Sequence, residues 1–176
     1  MRLFRYSRRS LMIAAVLVLL FLVPWWTLVA APAWPTPVAV LGGVLIGLCF
    51  VGQPTLMFLG HGPRQSDPAG AVGDTLLGVT WVLFSWSVLG NLAGLVLLAA
   101  GVPDPARSRI VAVAVLVVAA ALAGWGLVEA RRVPRLRALD VVIPRLGAGL
   151  DGLRVAVITD THFGPLDRAS WSTKVA

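Results

Sequence analysis

The chain has 176 residues, of which 58% are hydrophobic and only 13% charged, and its formal net charge is +7. A soluble globular domain of this size does not need so much apolar surface, so the composition excludes that class and indicates a membrane protein. The positive charge is almost entirely arginine, with Lys174 the single lysine. Because the arginines cluster beside apolar segments, we attribute them to topology and headgroup contacts and not to nucleic-acid binding.

Four apolar stretches are long enough to cross a bilayer, since each crossing needs about 20 predominantly apolar residues. They cover residues 11–31, 38–59, 75–100 and 110–130. Short connections rich in proline and glycine separate them. The sequence therefore predicts an all-α region of four transmembrane helices, which we bound at residues 1–137 with a separate segment at 138–176.

Basic residues predict the orientation of these helices. Four arginines precede the first span, four follow the fourth, and the connection at residues 32–37 carries no charge. Because cytoplasmic flanks are enriched in arginine and lysine, we predict a multi-pass cell-membrane protein with both termini in the cytoplasm. Arg107 and Arg109 in the third connection oppose this orientation, because they are placed outside. Abundant arginine, alanine, valine and glycine further suggest a GC-rich bacterial genome.

The first span has a second interpretation, as a cleaved export signal. Ser7-Arg8-Arg9-Ser10-Leu11 is similar to a twin-arginine signal, and Ala31-Pro32-Ala33 is similar to a small-residue cleavage site. The apolar run is long for a signal core, and the chain re-enters the membrane almost at once. Cleavage leaves the predicted side of the C-terminal segment unchanged.

Small and polar residues inside the spans predict contacts between helices. Gly43 with Gly47, and Gly90 with Gly94, are spaced four apart and allow close helix approach. Asn91 lies inside the third span, where its amide can hydrogen-bond a neighbouring helix. We interpret these residues as ordinary membrane packing, with a transport role for Asn91 as the alternative.

The tail contains the most distinctive motif of the chain. Residues 141–143 and 153–158 are β-branched and apolar, so we predict two strands that pair only partly and keep their apolar faces exposed. Asp160 and His162 follow the second strand and point the same way, because strand side chains alternate. A carboxylate and an imidazole placed together suit Mn, Fe or Zn. Alternatively, Asp160 caps a helix or turn and His162 is a solvated loop residue.

This segment, LRVAVITDTHFGP, resembles the first motif of the calcineurin-like metallophosphoesterases, and the lead-in from Val141 is similar to their membrane-attached branch. The resemblance implies that residues 138–176 are the truncated start of an α/β metallophosphoesterase domain. It implies that Asp160 and His162 are metal ligands in a centre of two Mn, Fe or Zn ions. The implied activity is hydrolysis of a phosphomonoester, phosphodiester or pyrophosphate bond, with lipid-linked phosphates among the candidate substrates.

The family's later Gly-Asp, Gly-Asn-His and histidine motifs do not follow His162. Gly73-Asp74, Gly90-Asn91 and His61 lie upstream, and we assign none of them to the metal site. We therefore expect this sequence to be the N-terminal portion of a longer hydrolase and to be inactive alone. The competing hypothesis is a non-enzymatic four-helix membrane protein that acts as an assembly or transport subunit.

Overall fold

The computed structural model describes residues 2–130, 132, 138–145, 147–150 and 152–157. The chain divides into two compact units, Met1–Arg131 and Arg132–Ala176. Within the described residues all regular secondary structure is helical.

In the described part, the first unit contains four long helices. They are α1 (Arg2–Trp25), α2 (Thr36–His61), α3 (Asp67–Ala99) and α4 (Ala106–Ala130). Each is long and apolar enough to cross a membrane. The prediction of four helices of membrane-spanning length and apolarity is thus confirmed, at approximately the predicted positions. Two helices begin well before their predicted spans, α1 at Arg2 instead of residue 11 and α3 at Asp67 instead of residue 75. At α3, Pro68 and the first-turn carboxylate favour a helix N-terminus beyond the apolar span.

The first span does not end as a regular α-helix. After Trp25 it continues as a π-helical turn, Trp26–Ala30, in which the Ala31 amide donates to Trp26 O at 2.9 Å. Pro24 lies in the last turn of α1 and has no amide hydrogen to donate, so the regular hydrogen-bond ladder is interrupted there. The wider turn that follows places Thr27 and Val29 in the interior of the bundle.

The connection between α3 and α4 is built from a left-handed glycine and an aspartate cap. Gly101 has φ +79°, and the bonds Gly101 N to Leu98 O and Val102 N to Leu97 O close the end of α3. Asp104 Oδ1 accepts from the Ser108 amide at 3.3 Å and from the Ser108 hydroxyl at 2.5 Å. This carboxylate therefore caps the first turn of α4.

Helix α3 is the central element of the bundle, packing most extensively against α4 and α2 and also against α1. The interior is small, and its buried apolar residues are Leu20, Phe21, Val29, Val111, Ala112, Val115 and Ala119. Many large apolar side chains face outward instead, such as Leu48 and Val96, which are 65% and 69% exposed. An apolar exterior of this kind is the surface that a bilayer covers.

The second unit has one short element in its described residues, a 3₁₀ turn at Ala148–Leu150. The predicted strands at 141–143 and 153–158 are not seen as strands where they are described, at 141–143 and 153–157. The apolar side chains are exposed, as expected, with Val142 at 88% and Val155 at 73%. The structure therefore confirms four helices long and apolar enough to cross a membrane, and the start of an α/β domain remains a prediction.

Candidate functional site

The predicted metal ligands Asp160 and His162 lie outside the described residues. The described approach to them, residues 153–157, has neither helical nor strand structure and follows Gly152 at φ +77°. Among the described residues, no group of three or more His, Cys, Asp or Glu side chains is placed to hold a metal ion. The metal site rests on the sequence motif alone.

A hydrogen-bonded polar cluster joins the first span and α3 inside the bundle. Asn91 Nδ2 donates to Thr27 Oγ1 at 2.6 Å and to Ser87 O at 2.8 Å. Thr27 in turn donates to Val23 O at 2.9 Å, one turn earlier in its own span. The predicted interhelical hydrogen bond of Asn91 is confirmed. Its partner was not predicted, because the π-helical turn changes the side of the helix on which Thr27 lies.

Two buried side-chain oxygens have no hydrogen-bond partner in the described part of the chain. They are Gln53 Oε1, in a residue only 3% exposed, and Ser87 Oγ, in a residue with 0% exposure. Sequence reasoning missed both residues, because a single glutamine or serine in a span gives no signal of which side faces the interior. Ser87 lies one turn before Asn91 on α3, so it extends the same polar cluster.

Glycines set the closest helix contacts, at only some of the predicted positions. A β-carbon at Gly90 would overlap Val115 and lie 3.1 Å from Val111 Cγ1, so close approach of α3 and α4 there is confirmed. The expectation for Gly47 was wrong, because a β-carbon added there would have no neighbouring atom within 4 Å among the described residues. A β-carbon added at Gly43 would meet only the Trp25 ring nitrogen within the described part of the chain, at 3.9 Å.

A second close approach lies between α2 and α3, and here backbone meets backbone. A β-carbon at Gly60 would overlap Gly70 Cα and lie 2.5 Å from Gly70 N, while one at Gly73 would lie 3.2 Å from Met57 N. Beside this crossing, His61 Nε2 and Asp74 Oδ1 are 2.8 Å apart. These residues lie near the start and end of spans, where sequence spacing alone did not indicate a helix contact.

At the opposite end of α2, Arg109 lies in the first turn of α4 and links this helix to the connection at residues 32–37. Its guanidinium donates to Pro32 O at 3.0 Å and Ala33 O at 2.8 Å, and its charge lies 5.4 Å from the centre of the Trp34 ring. The Trp34 indole donates to Leu28 O at 2.8 Å. The arginine that opposed the predicted orientation therefore has a structural role, satisfying carbonyls beyond the end of the first span.

The Asp104 carboxylate is engaged on both oxygens, by Ser108 on Oδ1 and by the Arg107 guanidinium on Oδ2. The hydrogen bond from the Ser108 hydroxyl is the largest influence on the pKa of Asp104, and together with the Arg107 charge it lowers that pKa from its ordinary value of 3.8, against the opposing effect of desolvation. At neutral pH this carboxylate is therefore ionised and already paired.

A cleft of about 440 Å³ lies among the π-helical turn, the C-terminal part of α3 and the first turns of α4. Its apolar lining includes Trp26, Leu95, Leu98 and Val111. Its polar lining comprises Thr27, Asn91, Asp104, Arg107 and Ser108. The volume falls within the range of about 300–1,000 Å³ typical of ligand clefts. We call this space the α3–α4 cleft.

Compared with known proteins, the chain matches no protein-family model, no curated sequence and no solved structure.

Proposed function

We propose that the chain is the membrane anchor and first metal-binding segment of a metal-dependent phosphoesterase. The observation that carries the proposal is the Asp160-Thr161-His162 motif directly after an apolar segment. The non-helical backbone of residues 153–157 supports it, because a helix continuing through this segment would rule out the strand on which the motif depends.

The donor chemistry of the pair fits the proposed ions. Asp160 would contribute a carboxylate oxygen and His162 an imidazole nitrogen, and both are ligands that Mn, Fe and Zn accept. Two such ions, when bound, polarise a phosphoryl group and activate a water molecule for attack on phosphorus. Two side chains do not complete a two-ion centre, so further ligands belong to the longer parent protein in this proposal.

The four helices define where the reaction takes place. Because they hold the tail at a membrane surface, the enzyme meets substrates that are themselves concentrated in a bilayer. This favours a lipid-linked phosphate as substrate over a freely diffusing nucleotide. The arginine distribution around the first and fourth spans supports a cytoplasmic location for the proposed reaction.

The test is hydrolysis of an aryl phosphodiester with added Mn by the parent protein. We expect Asp160→Asn and His162→Ala each to lower the rate about 100-fold or more, because removing a direct ligand costs at least as much as removing a supporting residue. Asp167→Asn is the matched control, because this nearby carboxylate is assigned no metal-binding role and we expect it to cap a helix that starts there. Wild-type rates in the two motif variants would remove the metal assignment.

The 176-residue chain supplies a second arm of the same test. We expect it to show no turnover, and measurable metal-dependent turnover would contradict the proposed incomplete centre. The competing function, a non-enzymatic membrane subunit, is distinguished by the reading frame. Continuation past Ala176 into Gly-Asp and Gly-Asn-His motifs supports the enzyme, and a natural stop codon at that point supports the subunit.

A further inference from the structure

The α3–α4 cleft has its polar groups arranged along its depth. Arg107 and Ser108 lie in the first turn of α4, beside the connection to α3. Asn91 lies seven residues before Leu98 on α3, which places it about 10 Å farther into the bundle at the usual rise per residue. The apolar side chains of Leu95 and Leu98 separate these two levels along α3.

The two levels of the cleft differ in the hydrogen bonds that they can still make. Asp104 has both oxygens engaged, so it offers little to a ligand. The Arg107 guanidinium has five N–H donors, of which the bond to Asp104 uses one. Deeper in the cleft, Asn91 has used both amide hydrogens, and its carbonyl oxygen can only accept. The mouth therefore donates hydrogen bonds, whereas the inner end accepts them.

The charge of this end of the bundle has the same preference as these donors. The two charged residues that line the cleft, Arg107 and Asp104, balance each other. Arg109 nearby brings the formal charge of this end of the bundle to +1 (two positive minus one negative). Arg109 is occupied by the carbonyls of Pro32 and Ala33, so Arg107 is the cation that lines the cleft. An anionic group is complementary to this mouth, and the acceptor oxygen of Asn91 disfavours an anion at the inner end.

We propose that the α3–α4 cleft binds one anionic phospholipid. The headgroup phosphate accepts hydrogen bonds from Arg107, and an acyl chain lies along Leu95, Leu98 and Val111. A lipid suits the cleft better than free phosphate, because the cleft lies between membrane-spanning helices and a small hydrophilic ion leaves these apolar walls uncovered. This inference does not depend on the phosphoesterase activity.

Native mass spectrometry of the full chain with an equimolar mixture of phosphatidylglycerol and phosphatidylcholine of equal chain length tests the headgroup. We expect about fivefold higher retention of phosphatidylglycerol, as for one arginine acting on an anionic lipid. Arg107→Gln should reduce this ratio to about one. Arg64→Gln, which removes an arginine from the α2–α3 connection, should preserve it. Equal retention by the wild type, or an unchanged ratio in Arg107→Gln, would overturn the proposal.

A second pair of variants tests the acyl-chain site. An added β-carbon at Gly94 would lie 3.4 Å from Val111 Cγ2, so Gly94→Ala fits as the control. Gly94→Leu fills the cleft and should lower retention of both lipids about fivefold or more. Unchanged retention in Gly94→Leu would contradict the assigned position of the chain.

Two measurements on the wild-type chain do not depend on the folding of a variant. A phosphatidylglycerol with a photoreactive acyl chain should crosslink to peptides that contain Leu95, Leu98 or Val111, and crosslinks confined to other surfaces would overturn the site. Millimolar inorganic phosphate should not displace the lipid. Displacement would show that the mouth binds free phosphate and that the apolar walls are not used.

Discussion

The membrane helices and the tail are both rich in β-branched and apolar residues, yet within the described residues they differ in regular structure and in the exposure of these side chains. In the bundle, α3 contacts each of the other three helices, and Gly60 approaches the backbone of Gly70 directly. In the tail, Val142 and Val155 are 88% and 73% exposed, and the described residues form only a 3₁₀ turn. A high content of apolar residues is therefore not enough for a segment to form regular secondary structure.

The difference follows from where each kind of element finds its hydrogen bonds. A helix satisfies its backbone groups within one continuous segment, so some 25 apolar residues suffice and the bilayer covers the outward side chains. A strand needs a neighbouring strand for its backbone groups, and a parallel neighbour comes from a distant part of the chain. Residues 141–143 and 153–157 have strand-like composition, but no paired strand is seen among the described residues.

The first prediction tests whether packing of the bundle depends on its glycines. Gly60→Val places a branched side chain against the Gly70 backbone, which cannot rotate away as a side chain can. We expect a loss of about 3 kcal/mol in the free energy of unfolding, at the upper end for overpacking. Gly52→Val is the control, because nothing in the described structure lies within 4 Å of a β-carbon there. Unfolding in mixed detergent micelles measures both, and equal losses would refute the crossing.

The second prediction concerns the polar link between the first span and α3. Asn91→Leu removes the bond to Thr27 and should cost about 1 kcal/mol, within the range of interhelical hydrogen bonds in membrane proteins. Thr27→Val removes the same bond from the other side, so the double variant should lose less than the sum of the two single variants. Simple additivity in this mutant cycle would mean that the two side chains do not interact.

Features that depend on residues close together in the sequence were predicted better than features that depend on contacts between distant residues. Four helices follow from apolar runs alone, and the close approach at Gly90 follows from local residue size. The contact of Thr27 depends on rotation about the axis of the first span, which Pro24 and the π-helical turn alter. The contact of Gly60 depends on how α2 packs against α3. For the same reason Gly47 has the spacing of a packing residue but faces open space within the described structure.

The metal motif is visible in the local sequence, but the complete metal site is not. Asp160 and His162 are adjacent enough in sequence to suggest a site, but a two-ion centre draws ligands from segments far apart in a chain. The α3–α4 cleft is also formed by distant segments, which come together only when the first span, α3 and α4 pack. A local sequence pattern therefore predicts single helices and single metal ligands. The full set of residues that forms a site becomes known only from the fold.

The third prediction tests whether the exposed valines of the tail contribute to the stability of the helical bundle. Val155→Ser and Val142→Ser replace exposed apolar side chains, so each should change the free energy of unfolding of the helical bundle by less than about 0.5 kcal/mol. The same unfolding assay used for Gly60→Val applies here. A loss above about 1 kcal/mol, twice the usual limit for surface substitutions, would show that these valines are buried against the bundle in the membrane and would remove the distinction between the two regions.

The smallest expected effect is the pH dependence of the α4 cap. Because the pKa of Asp104 is lowered from 3.8 in the folded protein, its contribution to stability is present above pH 3.8 and is lost as the pH falls through the folded pKa, below that value. Amide exchange at Ser108, corrected for intrinsic rates, should show constant protection from about pH 7 to about 4 and a decrease only at lower pH. Asp104→Ala should show weak protection throughout, since the acceptor for that amide is gone. A decrease centred above about pH 4 would mean that another group holds the first turn, and the cap would then have no part in shaping the mouth of the cleft.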